Sequence, residues 1–505
     1  VSLLVGFGSV ASNAEDVPDL AAATPTPTAS TPAPEATEET ADPDTTTETP
    51  DPTVKAADNP YGTNYPVTLE TNFARPYKAI SSPSNSDFSQ LNDLERIIRG
   101  SYKDPRTGKV RPSSVRKSNS VFMSISRMEN SYRVGRELIR AAKAGVKVRV
   151  IHGKASQSKE SRALQRALDK SSLRDSNFKI CSKGKSLACL SGLNGAIMHS
   201  KILLVSNTFT RDNKPAKAAI WSGSANLGGP SGERTYNNGL TVYNDKKLWY
   251  ETRQMWDDMY AERNVGNNYL RYIDKNATRY GITESDRTKF GYTKADPNYG
   301  MFYSNLANVT IYATPILATP TNGKDPVLNL LNRVVPDDQC RIRLQENRFK
   351  YRRIAVAQKL VQLADQGCKV SIVGFEDDLK VNRIAHCQQY IRVCRPILDV
   401  FKTASRRIEA AWAKPHDKTI LVEAKLKKNR LNPEEVAIDG TKYNDWPNDG
   451  IRTKMVQAGS AALTGSNLVV SDEITTETID PAVYEDYLQH WKAILKSNEY
   501  HSYPY

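Results

Sequence analysis

Two stretches of this 505-residue chain lay down the same order of apolar and polar positions. Residues 118–153, SNSVFMSISRMENSYRVGRELIRAAKAGVKVRVIHG, open with an alternating apolar run from Val121 to Ile125. A helical spacing follows up to Gly145, and VKVRVI then alternates again. Residues 339–374, QCRIRLQENRFKYRRIAVAQKLVQLADQGCKVSIVG, repeat that order at nearly the same length. Period two marks a strand and period 3.6 a helix, so each stretch predicts a β-α-β unit. Each predicted helix stops at a glycine, the residue that accepts the left-handed backbone of a helix end. Upstream, SNSDFSQLNDLERII and TNGKDPVLNLLNRVV predict amphipathic helices leading into the two units. A pattern present in only two copies implies a duplicated domain and not a solenoid.

Candidate chemistry sits at matching places after each unit. The chain has six histidines. MHSKILLVS carries His199 and Lys201, and PHDKTILVE carries His416 and Lys418. In both, H-x-K opens an aliphatic run typical of a buried strand, and alternation puts the two side chains on one face. A second apolar stretch follows each and ends in a glycine-serine motif. The first, AIWSGSANLG, holds Ser224 and Asn226; the second, AALTGSNLV, holds Ser466 and Asn467. A single H-x-K means nothing, whereas two copies with G-S and Asn inside duplicated α/β halves form a specific signal. Trp221, just before the first G-S, is expected in the core.

On these motifs the chain resembles the phospholipase D superfamily, whose halves each carry H-x-K-x4-D and then G-S-x-N. The resemblance covers roughly residues 70–500 and is strongest to exported bacterial members. It implies an α/β fold of two αβα lobes related by a pseudo-twofold axis, each a central mixed sheet flanked by helices. It also implies a metal-free, two-step displacement at phosphorus with no cofactor. One histidine attacks to give a phosphohistidine, and the other protonates the leaving group and then activates water or an alcohol. Neutral and protonated imidazoles suit those tasks near pH 7. Lys201 and Lys418 offset charge on the phosphoryl oxygens, and Ser224, Asn226, Ser466 and Asn467 are expected to bind them.

The chain departs from the family pattern at several points. The motif aspartate is Ser206 in the first half and Glu423 in the second, and the second glycine-serine motif reads G-S-N. Downstream, Glu473 fits the carboxylate that orients a histidine, and the first half offers Asn237 or Asn238, with Asn238 the choice. Read within each half, Glu473 belongs beside His416 and favours its imidazolium, making His416 the acid. An Asn partner leaves His199 neutral and hence the nucleophile.

Composition adds the setting. Residues 1–14 resemble the apolar core of a secretory signal, with cleavage expected after Ala11 or Ala14. Residues 15–58, rich in Thr, Pro and acidic side chains, read as a disordered linker. Residues 59–300 and 301–505 are the two expected lobes. The net charge of +14 understates the folded part, because residues 12–58 hold eleven carboxylates against Lys55 alone. Such a basic surface favours anionic partners. The expected substrate is a phospholipid, met by peripheral membrane contact, with nucleic acid as the alternative and a phosphate- or lipid-binding protein as the third reading. A secreted monomer is expected. Six cysteines behind an export signal predict disulfides, paired Cys181–Cys189, Cys340–Cys368 and Cys387–Cys394.

Overall fold

The computed structural model describes residues 65–502 apart from 77–85, 130–131, 154–156, 182–186, 191–195, 263–300, 316–324, 376–392 and scattered single or paired positions. The signal and linker stretches fall outside the described residues. Seven strands form the first sheet: β1 (Thr68–Ala74), β2 (Ser120–Ile125), β3 (Lys147–His152), β4 (Asn177–Ile180), β5 (Ile202–Phe209), β6 (Pro215–Gly223) and β7 (Asn237–Tyr243). Their order across the sheet is β1-β7-β6-β5-β2-β3-β4.

The second sheet holds β8 (Met301–Ser304), β9 (Val309–Thr314), β10 (Val334–Val335), β11 (Arg341–Glu346), β12 (Lys369–Phe375), β13 (Glu409–Ala413), β14 (Lys418–Leu426), β15 (Ile451–Gly459), β16 (Glu473–Thr478) and β17 (His501–Ser502). Its order is β17-β13-β12-β11-β14-β15-β16-β9-β8, with β10 paired to β14. Strand for strand, β9-β16-β15-β14-β11-β12-β13 repeats β1-β7-β6-β5-β2-β3-β4. Both sheets are mixed in the same way: β2-β3-β4 and β11-β12-β13 run parallel, and the remaining neighbours antiparallel. Equivalent registers, Ser120 opposite Lys147 and Arg341 opposite Lys369, set the residue-by-residue match of the halves.

Parallel neighbours require a crossover, and the predicted helices supply it as Arg133–Lys143 and Ile354–Asp365. Gly145 (φ +93°) and Gly367 (φ +123°) close them in the left-handed region. The lead-in helices are Ser89–Gly100 and Pro326–Arg333. Each sheet is covered on both faces, which is why its central strands read as near-continuous apolar runs. In β2, Val121 and Met123 pack on the helices, while Phe122 faces the other way. The inner faces meet lobe to lobe: Ile202, Leu204 and Val242 pack with Ile311, Ala313 and Ile474. Each such buried aliphatic side chain contributes about 1.5–3 kcal/mol, so the apolar seam holds the halves together. The helix Pro481–Leu495 also spans both lobes, with Asp486 accepting from Thr71 Oγ1 (2.6 Å) and His490 stacked on Phe73. Among the described residues no helix is long and apolar enough to cross a membrane.

Trp221 lies in the core as expected, fully buried with Nε1 donating to Asn72 Oδ1. Cys181 is bonded to Cys189 and Cys340 to Cys368, with Cα separations of 5.0 and 4.5 Å. The second pair joins the residues immediately before the adjacent parallel strands β11 and β12. Cys394 is also disulfide-bonded, but Cys387 lies outside the described residues. The two bridges close loops of 8 and 28 residues, each stabilising by about 2–4 kcal/mol in the chain-entropy account. Non-reducing peptide mapping is expected to recover both pairs as linked peptides, and reductant to lower the melting temperature. Free thiols at these four positions would contradict the pairing.

Candidate active site

His199 and His416 stand just ahead of β5 and β14, and neither is completed by its own half. His199 Nδ1 lies 2.8 and 2.9 Å from the two carboxylate oxygens of Glu473, the first residue of β16 in the other lobe. His416 Nδ1 lies 3.0 Å from Asn237 Oδ1, the first residue of β7. The backbone repeats the exchange: His199 N–H donates to Asp472 O (2.9 Å) and His416 N–H to Tyr236 O (2.8 Å). Single parallel bridges, Met198 with Asp472 and Tyr236 with Pro415, hold the strand mouths together. This corrects the pairing read within each half. Glu473 serves His199, not His416, because the lobes pack so that each histidine meets the partner strand of the opposite half.

A serine stands behind each partner. Ser460 Oγ donates to Glu473 Oε2 (2.5 Å), and Ser224 Oγ donates to Asn237 Oδ1 (3.1 Å). Both serines exchange backbone bonds with the residue after the partner: Ser460 with Ile474, and Ser224 with Asn238. A Cβ on Gly459 or Gly223 would strike the carbonyl oxygen of Ile474 or Asn238, so glycine is required before each serine. The structural counterpart of Gly223-Ser224 in the second half is therefore Gly459-Ser460, and not Gly465-Ser466 as read from sequence. The legible signal was spacing, since serine and partner are thirteen residues apart in both halves.

Hydrogen-bond accounting fixes the imidazole tautomers. Asn237 Nδ2 donates to Ser231 O, Thr235 O and Thr235 Oγ1, so its Oδ1 must accept from His416. Glu473 likewise accepts from His199. Each Nδ1 thus carries a hydrogen, and the lone pair of the neutral ring is on Nε2.

The two lysines converge on the same centre. Lys201 Nζ donates to His199 O and Lys418 Nζ to His416 O, both at 2.5 Å. Burial holds Lys201 well below the usual ammonium range; Glu473 opposes the shift, while Lys418 and Arg127 add to it. Burial brings Lys418 down to about 8, against the pull of Glu473, Glu346 and Asp417. Burial likewise takes His199 down to about 4, outweighing Glu473. His199, Lys201, Lys418 and Glu473 therefore share one electrostatic environment, built from both lobes and suited to an anion.

Residues 114–259 match the family model described as cardiolipin synthase, PLD-like domain. Residues 114–259 therefore carry a PLD-like domain of the phospholipase D type. No curated protein sequence matches it. Among solved structures it is similar to phosphatidylserine synthase of Haemophilus influenzae Rd KW20, at 10% identity over 86% of this chain and 87% of that one, with a TM-score of 0.47. It is similar to polyphosphate kinase of Porphyromonas gingivalis at 11% identity, covering 85% of this chain, with a TM-score of 0.44. The chain spans about half of that kinase, 51%. The Salmonella typhimurium phospholipase D family member Nuc matches at 15% identity over 39% of this chain and 95% of its own, with a TM-score of 0.26.

Set against the superfamily pattern, several expected site residues take other roles. Ser206 points away from the histidines and accepts from Ser120 N–H (2.9 Å). Glu423 sits at the outer end of Arg343 (3.9 Å) and Tyr484. Asn238 does not orient a histidine: its Nδ2 clamps Asp417 Oδ1 (2.8 Å) and Thr419 Oγ1 (2.9 Å). Ser224 is fully buried under Asn237, to whose Oδ1 it donates. The residue aligned with Asn226 is Ala462. Asn467 comes from the helix Gly465–Val469 instead; its Nδ2 donates to Glu473 and its Oδ1 accepts from Thr464. Ser466 shares a hydrogen with Thr464 Oγ1. Among the described residues Asn226 Oδ1 has no hydrogen-bond partner.

Residues the sequence reading passed over surround the site. Asp417, between His416 and Lys418, takes a hydrogen bond from His490 Nε2 (2.9 Å), whose Nδ1 accepts from Arg75 Nε (3.1 Å). Asp472 accepts from the Cys189 and Leu190 N–H groups, fixing the disulfide loop beside His199.

Proposed function

We propose that the protein is a secreted phosphodiesterase of the phospholipase D type. It hydrolyses phospholipid phosphodiesters, or exchanges their alcohol, through a phosphohistidine on His199. The observation that carries this reading is the crossed pairing of two imidazoles, His199 with Glu473 and His416 with Asn237, around two buried lysines.

Near pH 7, His199 is neutral, with the Nε2 lone pair available. Nε2 attacks phosphorus, forming the N–P bond as the bond from phosphorus to the leaving oxygen breaks. The ring gains positive charge in that step, and Glu473 on Nδ1 stabilises it. His416 gives its Nε2 proton to the leaving oxygen, which departs as an alcohol. Behind His416 stands a neutral amide, Asn237, and not a carboxylate. Neutral His416 then takes a proton from water or an acceptor alcohol, whose oxygen attacks phosphorus and breaks the N–P bond. Lys201 and Lys418 offset the charge on the non-bridging oxygens throughout. The division of labour is the one read from sequence, but the reason is replaced: the carboxylate backs the nucleophile.

The matched family description, cardiolipin synthase, and the export-type N-terminus both support a lipid substrate. Purified protein incubated with phosphatidylcholine–phosphatidylethanolamine vesicles is expected to release phosphatidic acid at the same rate with and without EDTA. Loss of activity in EDTA, restored by Mg²⁺ or Ca²⁺, would contradict a reaction run by histidines and lysines alone. Plasmid DNA cut in a parallel tube with lipid left intact would make the protein a nuclease. Phosphate bound with neither substrate cut would make it a binding protein.

A further inference from the structure

Asp417 separates His416 from Lys418, and strand alternation turns its side chain to the face opposite theirs. There the carboxylate is fully buried and both of its oxygens are engaged. Oδ1 accepts from Asn238 Nδ2 (2.8 Å) and Oδ2 from His490 Nε2 (2.9 Å). His490, on the helix Pro481–Leu495, is fully buried too. Its Nδ1 faces Arg75 Nε at 3.1 Å. A guanidinium only donates, so Nδ1 accepts and the ring hydrogen sits on Nε2, aimed at Asp417. The imidazole stacks on Phe73 at 4.5 Å, and the Arg75 guanidinium lies 4.7 Å from the centroid of the same ring.

These groups also touch what holds His416. Asn238 follows Asn237, whose Oδ1 accepts from His416 Nδ1 (3.0 Å). His490 packs against the Tyr236 ring, with centroids 6.0 Å apart, and Tyr236 O accepts from His416 N–H (2.8 Å). Asp417 O accepts from Asn347 N–H (3.1 Å), which ties the residue after His416 to the end of β11. The second motif is thus gripped from the end of β1, the start of β7 and the helix Pro481–Leu495.

The duplication shows that the fold does not need a carboxylate at this place. Between His199 and Lys201 stands Ser200, whose Oγ shares a hydrogen with Ser124 Oγ of its own lobe (3.0 Å). A hydroxyl avoids the desolvation cost that a buried carboxylate carries even when hydrogen-bonded. The second half alone accepts that cost, and does so beside the histidine whose ring partner is an amide. The charge also reaches Lys418, which is faced by Glu473 from β16, Glu346 from β11, Arg348 and Asp417. Asp417 raises the proton affinity of Lys418 against burial. Asp417 is itself faced by Arg75, by Tyr487 of the helix Pro481–Leu495 and by Glu346.

We propose that Arg75, His490 and Asp417 form a positioning relay that seats the second H-x-K motif, so that His416 and Lys418 meet the substrate in fixed places. The proposal rests on the phosphodiesterase reading, in which His416 is the acid and Lys418 a counter-charge. The test measures kcat and KM against pH in the full chain on phosphatidylcholine–phosphatidylethanolamine vesicles, with melting curves to confirm folding. Asp417→Asn keeps the shape and removes the charge, so the alkaline limb set by Lys418 is expected to move to lower pH. Damaged packing alone would lower the whole profile and leave that limb in place. His490→Phe keeps a ring to stack on Phe73 but no donor, and is expected to lower kcat about 10–100-fold with KM little changed. His490→Gln keeps an N–H for Asp417 and is expected to recover most of that loss. The two His490 variants decide if Asp417→Asn fails to fold. An unmoved alkaline limb in folded Asp417→Asn, or equal activity of the Phe and Gln variants, overturns the relay. If wild type cleaves no phosphodiester, the phosphodiesterase reading has failed, and NMR titration of the labelled Lys418 ammonium decides. A fall of its pKa in Asp417→Asn supports the hold of Asp417 on the motif, and an unchanged value overturns it.

Discussion

Replacing His199 by Ala is expected to abolish every covalent phosphoenzyme, even with an activated substrate whose leaving group needs no proton. Replacing His416 by Ala is expected to do the opposite and make the intermediate accumulate. In the second variant Nε2 of His199 and the Glu473 behind it are intact, so a nitrophenyl phosphodiester still transfers its phosphoryl group to the ring. Turnover then stalls, because the base that activates water is the same missing imidazole. General acid–base help of this kind is typically worth about 10²–10⁴-fold, so both steps of natural-substrate turnover should fall by that order. The measurement is protein-bound label from radioactive substrate, stable in base and labile in acid. Label that persists in His199→Ala and disappears in His416→Ala would reverse the assignment.

Glu473→Gln is expected to reduce kcat/KM by about 10²–10⁴-fold, whereas Glu423→Gln is expected to stay within about tenfold of wild type. The contrast follows from position: Glu473 holds Nδ1 of His199 across the lobe boundary, whereas Glu423 lies five residues along β14 from Lys418 and meets Arg343 and Tyr484. The pH profile separates a role at the imidazole from general damage. The nucleophile must be neutral, and His199 lies at about 4, so the acid limb of kcat/KM should fall at about 4. Glu473 is what raises that value against burial, so its removal should carry the acid limb to lower pH. On the alkaline side Lys418, at about 8, must keep its proton to offset phosphoryl charge, so activity should have fallen by the time pH passes about 8. An acid limb that moves upward in Glu473→Gln, or a variant as active as wild type, would remove Glu473 from the site.

The elements that can be read along the chain are those whose cause is local. Gly145 and Gly367 stop the crossover helices because a left-handed turn suits glycine, and that is a property of the turn alone. The Cys340–Cys368 bridge was legible for the same reason, since both cysteines open strands of one β-α-β unit and those strands must be neighbours. The second glycine-serine motif was harder. Two candidates stand six residues apart in QAGSAALTGSNLV, and their composition does not separate Ser460 from Ser466. What separates them is the thirteen-residue distance to the residue that each true serine supports. The acidic residue opposite Lys418 left no trace in the motifs, because Glu346 lies on another strand, 72 positions away, and only the β11–β14 register brings it there.

The amino-acid order by itself determined that the chain is a duplicated α/β protein, which histidines and lysines stand at matching places in the two halves, and the order of strands and helices in each repeat. Those are consequences of periodicity, turn chemistry and covalent distance, which act over a few residues. It did not determine which partner each histidine has. Read along the chain, Glu473 follows His416 and Asn237 follows His199, and sequence proximity assigns them so. The packed structure crosses them, because the apolar inner faces around Ile202, Val242, Ile311 and Ile474 are buried against one another. That contact brings the start of β16 to His199 and the start of β7 to His416. The burial that sets the proton affinities of His199, Lys201 and Lys418 arises at the same seam, and it exists only once the two lobes have closed on each other.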